Sequence, residues 1–250
     1  KQSMQNDPRE TTTPPESLET APAVPGERAG DPPPRIPIHW LRSWSRRDAL
    51  AHGERLEAWA LQQSDPVQTI GELAGFHRPT AIWAAAAMAS FVVDSVWSVR
   101  SGSSHEETAL AAVRQWLSGG ATPLQLELLL RVGGVHLGML PQVNLFDGER
   151  AAFHHMLEMI EMLLGACLHS HAESSRVQLQ GCATAGLEAL LAAHTHDLHV
   201  MTEKPFEPDE REALVKALAR RMTTAAAIAI PAGIVALHDL QVLKRDRSAG

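Results

Sequence analysis

From Trp40 onward the chain is divided by helix start and stop signals at short intervals, and no other feature constrains its fold as tightly. The segment from Ser45 to Gln63 carries Leu50, Leu56, Ala60 and Leu61 near helical spacing. Ser64-Asp65-Pro66 supplies an N-cap followed by a proline at the first helical position, and Gly75 closes that short helix. Pro79 opens an alanine-rich helix that reaches about Arg100, and Ser104 with Glu107 forms a capping box for a helix ended by Gly119-Gly120. Thr122-Pro123 starts another, which Gly133-Gly134 is expected to stop. Asp147 precedes a long helix to about His171, and Ser174 or Ser175 precedes the next. Glu207-Pro208-Asp209 gives the last region an acidic first turn, with Lys216, Arg220 and Arg221 further along and Pro231 read as a break or kink. No alternating β-branched run bounded by hairpin turns occurs. The chain is therefore predicted to be all-α, a multi-helix bundle or irregular helical-hairpin stack of eight or nine helices, without a fixed repeat. The connection expected from Gly133 to Asp147 is the one long loop.

Residues 1–38 differ in kind. They are rich in Pro, Thr, Glu and Ser and nearly devoid of large apolar side chains, so they bury too little surface to offset ordering entropy. A disordered Pro-rich arm is expected there, followed by a helical domain over 39–247. The run Asp31-Pro-Pro-Pro-Arg35-Ile36-Pro37 fits a plain linker better than a docking ligand, because Pro-rich matches have low specificity. With Lys+Arg 22 against Asp+Glu 29 the net charge is −7, which argues against a nucleic-acid partner. Two cysteines make no disulfide framework, and no secretory signal is visible, so a cytoplasmic location is the expectation. No membrane span is expected either: the stretch from Ala81 to Trp97 is short and carries Ser90, Asp94 and Ser95, and the stretch from Ala225 to Leu237 is interrupted by Pro231 and Gly233.

Thirteen histidines invite a metal reading. His154 and Glu158 fall on one helix face, and Cys167, His169 and His171 follow near that helix's end; imidazole, carboxylate and thiolate are all zinc ligands. His169 and His171 point about 200° apart on a helix, however, so the set does not converge by spacing alone. Stepping 100° per residue puts His154, Glu158, Glu161, Gly165 and His169 in one narrow stripe, against a remaining circumference of Phe, Met, Leu and Ile, which is the pattern of a buried helix with a wet edge. Phosphate-binding glycine loops and nucleophile elbows are absent from the sequence, so no cofactor is called for and an enzyme is the less favoured class.

Tryptophan and arginine gather where the arm meets the domain: Trp40, Arg42, Trp44, Arg46 and Arg47. These residue types are enriched at interface hot spots, which makes this junction the candidate surface for a protein partner. The stretch Ala81-Ile-Trp83-Ala-Ala-Ala-Ala-Met88, followed by Ala109-Leu-Ala-Ala-Val-Arg-Gln-Trp116-Leu117, resembles alanine/tryptophan-rich all-helical bacterial families, among them immunity-type proteins and uncharacterised helical domains. The resemblance covers about 40 residues, implies a bacterial interaction protein and assigns no functional residue. The expectation is a non-enzymatic interaction module, such as an adaptor, scaffold or immunity-type protein; the alternative is a metal-binding or enzymatic bundle built on the His/Glu/Cys set.

Overall fold

A computed structural model describes the backbone of residues 43–97, 105–142, 145–202 and 207–248. The expected Pro-rich arm lies outside the described residues, as do Trp40 and Arg42. Among the described residues there are eight α-helices and no strand: α1 (Arg46–Leu61), α2 (Pro66–Phe76), α3 (Arg78–Trp97), α4 (His105–Leu117), α5 (Pro123–Met139), α6 (Asp147–Leu168), α7 (Ala172–Thr202) and α8 (Pro208–Ser248), with a 3-10 turn at Leu140–Gln142. The all-α reading holds.

Local chemistry accounts for the helix starts. Ser45 and Asp48 form a reciprocal capping box on α1, and Asp65 accepts from the Val67 and Gln68 amides ahead of Pro66. Thr122 and Gln125 repeat the box on α5. Gly119, at φ 75°, ends the connection after α4 in the left-handed region that glycine adopts without strain.

The core is centred on α3, which packs against α2, α4, α6, α7 and α8. Ala81, Ala84, Ala85, Ala86 and Ala89 are buried together with Ile82, Met88, Val92 and Val93, so small side chains line several faces of one helix and let neighbours approach on each. At its N-terminus Arg78 ties four helices. Its guanidinium donates to the Ala166 and Cys167 carbonyls at the end of α6 (2.8 and 3.1 Å) and to Ser175 Oγ on α7 (2.9 Å), and it lies over the Trp116 ring of α4 at 5.9 Å. Ser175 Oγ in turn donates to the Ala166 carbonyl. Carbonyls that a helix end leaves unpaired are thereby satisfied inside the protein. α6 and α7 pack along each other as a hairpin, and α1 lies along α8.

Helix runs on through two positions, one read as a stop and the other as a break or kink. Pro231 sits inside α8, where it removes one backbone donor but occupies a crossing point. A β-carbon on Gly53 of α1 would lie 2.7 Å from Pro231 Cα, and one on Gly233 would lie 2.6 Å from Trp83 Cγ. Gly53 thus makes room for Pro231 where α1 meets α8, and Gly233 makes room for Trp83 where α3 does. Likewise α5 runs through Gly133-Gly134, so most of the expected 133–147 loop is helical. Gly133 is buried, and its missing β-carbon leaves space for His105 Nε2 and Glu161 Oε1, at 3.2 and 3.4 Å from that position.

These continuations also correct the expectation of no membrane span. By length and composition three helices are long and apolar enough to cross a membrane: Arg78–Val96, Asp147–Leu168 and Pro208–Lys244. In the first, Ser90 and Ser95 hide their hydroxyls by donating to the Ala86 and Phe91 carbonyls one turn back, so they interrupt the apolar stretch less than their type suggests. In the third, reading Pro231 as a break splits a single 41-residue helix into short pieces.

Candidate functional site

α5 departs from every other part of the fold in how it distributes apolar residues. Only Leu126 and Gly133 are buried on it. Leu124, Leu128, Val132, Val135 and Met139 are exposed, the first two at 73% and 62% and Val135 at 59%. With 100° per residue and Leu124 set at 0°, Leu128, Val132, Val135 and Met139 fall at about 40°, 80°, 20° and 60°. Leu126 and Gly133 fall at about 200° and 180°, on the opposite side. The outer face of α5 is therefore a continuous apolar stripe, about 80° wide and about 22 Å long at 1.5 Å per residue, pointing away from the core. Glu127, Arg131, Gly134 and Gly138 border one side, and Gln125 and His136 the other. A β-carbon on Gly138 would meet nothing within 4 Å, so this flank is open to close approach.

The junction residues lie elsewhere. Trp44 is half-buried against the core, with its ring 5.0 Å from that of buried His52 and its carbonyl accepting from His238 Nε2 at 2.8 Å. Arg46 pairs with Asp239 at 3.3 Å, and both line a shallow open groove between α1 and α8 together with Arg47, Leu50, Val235 and Ala236. Of the five junction residues, then, Trp44 serves packing, and Arg46 and Arg47 front a groove.

The metal set separates. His154 and Glu158 come together, and His155, which the sequence reading passes over, joins them: Glu158 Oε2 lies 3.0 Å from His155 Nδ1 and 3.4 Å from His154 Nδ1. Cys167 is buried as a free thiol behind Arg78, and His169 and His171 are exposed in the turn between α6 and α7, apart from the cluster. Cys182 is fully buried, and burial pushes its thiol up to about 12, which removes it as a nucleophile near neutral pH.

The α5 stripe leaves a trace in the sequence that the helix-by-helix reading overlooks: from Pro123 to Met139 the only ionisable side chains are Glu127, Arg131 and His136, so apolar residues must occupy more than one face. Comparison with known protein families, with characterised proteins and with solved structures finds no match to this chain.

Proposed function

We propose that this chain is a non-enzymatic helical interaction module, of adaptor or scaffold type, whose outer α5 face receives an amphipathic helix of a protein partner. One observation carries the reading: a stripe of five large apolar side chains, exposed and continuous, opposite the face that α5 gives to the core. Leaving such a stripe in water forfeits about 1.5 to 3 kcal/mol per side chain relative to burial, and exposed apolar patches of this kind mark binding surfaces. Its width suits the apolar face of a single helix read at i, i+4, i+7 and i+11. Gly134 and Gly138 on the flank permit close backbone approach, and Glu127 and Arg131 beside them favour a partner with a basic and an acidic residue in matching order.

A photo-activatable cross-linking residue placed at Leu128, and separately at exposed Glu212 as a control, tests this in the organism that makes the protein. A discrete protein adduct from position 128 that is absent from position 212 and lost in Val135→Glu supports the proposal. Adducts identical from both positions contradict it, as does cross-linking at 128 only to a second copy or only to lipid.

A further inference from the structure

The geometry points to a second site, independent of the α5 face: His154, His155 and Glu158 form a binding site for a borderline divalent transition ion such as Zn²⁺. All three donors sit within one turn of α6, and their ligand atoms lie within 4.8 Å of one another. The two imidazole rings stand nearly perpendicular at 84°, with centroids 5.4 Å apart, so both present Nδ1 to the same carboxylate oxygen. The spacing is informative. Nitrogen and oxygen donors about 2.0 to 2.2 Å from a tetrahedral ion are separated from each other by roughly 3.4 Å. The two pairs here stand at 3.0 and 3.4 Å. The third separation, between the two imidazoles, is within 4.8 Å, so small rotations of the side chains bring all three donors onto one ion.

The donor set narrows the ion. Two imidazoles and one carboxylate suit Zn²⁺, Cu²⁺, Ni²⁺ or Co²⁺ over Ca²⁺ or Mg²⁺, which require more oxygen ligands. Glu161 continues the same stripe toward α5 as a second acidic side chain. The cluster is half-exposed, so the ion has an entry path and keeps one position for water or for a ligand supplied by another molecule. Sequence spacing alone does not reveal the site, because adjacent histidines diverge by about 100° on a helix and converge only when both rings turn toward Glu158.

Titration of the full chain, purified without a histidine tag and stripped with chelator, tests the site with Co²⁺ as the probe and Zn²⁺ as competitor. The expected result is visible ligand-field absorption that saturates at one equivalent and is displaced by Zn²⁺. Loss of one ligand should weaken binding by about 10-fold or more in His155→Ala and in Glu158→Gln, since even outer-shell changes at metal sites cost that much. The double variant His169→Ala/His171→Ala should bind as the parent does. Unchanged affinity in both cluster variants, loss in the His169/His171 variant, or no saturable absorption would overturn the inference. All the altered residues are at least partly exposed, and an unchanged helical circular dichroism spectrum confirms that each variant folds.

Discussion

α3 and α5 are both apolar around most of their circumference, yet α3 packs against α2, α4, α6, α7 and α8, whereas among the described residues the main partners of α5 are α4 and α6. In α3 five of the nine buried apolar residues are alanines, small enough for neighbours to dock on several sides. In α5 the outer residues are Leu, Val and Met, large enough to anchor a partner and left in solvent. Apolar composition thus has two different meanings, and side-chain size together with the position of the helix in the stack separates them. One helix organises the core; the other presents a surface.

Substitutions sharpen this contrast. Met88→Ala in α3 removes a fully buried side chain and should cost about 2 to 5 kcal/mol in denaturant unfolding, while Leu128→Ala in α5 should change stability by less than about 0.5 kcal/mol. Arg78→Ala should cost about 2 to 4 kcal/mol, because it leaves the Ala166 and Cys167 carbonyls and Ser175 without their charged donor. Gly233→Ala should cost about 1 to 3 kcal/mol, since the new methyl meets the Trp83 ring and α8 has to shift away from α3.

A more gradual effect follows from pH. Burial holds His52 and His77 down at about 4 against an ordinary 6.5, and at His52 nearby Arg55 and His77 add to it. The unfolded chain therefore takes up these protons first. Stability is full above about pH 6.5 and declines from there toward pH 4. The slope should reach at most about 1.4 kcal/mol per pH unit for each group. Unfolding free energies measured between pH 7 and pH 4.5 check this, and His77→Gln should flatten the curve.

Much of the fold is readable in the residues. Ser45, Asp65-Pro66 and Thr122-Pro123 announce helix starts that the structure keeps, because caps act locally through the backbone of the next turn. The errors occur where tertiary packing overrides local preference. Gly133-Gly134, Pro231 and Gly233 carry the signature of termination, yet Gly133 and Gly233 leave room for side chains from neighbouring helices, and Pro231 fits against α1 because Gly53 has no β-carbon there. That role depends on residues such as Glu161, Gly53 and Trp83, distant in sequence, so no local signal reveals it. The same blindness affects the sites. His154 and Glu158 are visible from their spacing, but His155 joins them only through ring orientation. The outward direction of the α5 stripe becomes defined only when α4 and α6 take the opposite face.

The central claim, that α5 is a binding face and not an exposed remnant of the core, is tested most directly by the double variant Leu128→Glu/Val135→Glu. Its melting curve should overlay that of the parent chain, because both side chains already stand in solvent, while the protein cross-link formed in the parent by a photo-activatable residue placed at Leu124 should disappear. A melting temperature lowered by many degrees, or a cross-link that survives both substitutions, would contradict it.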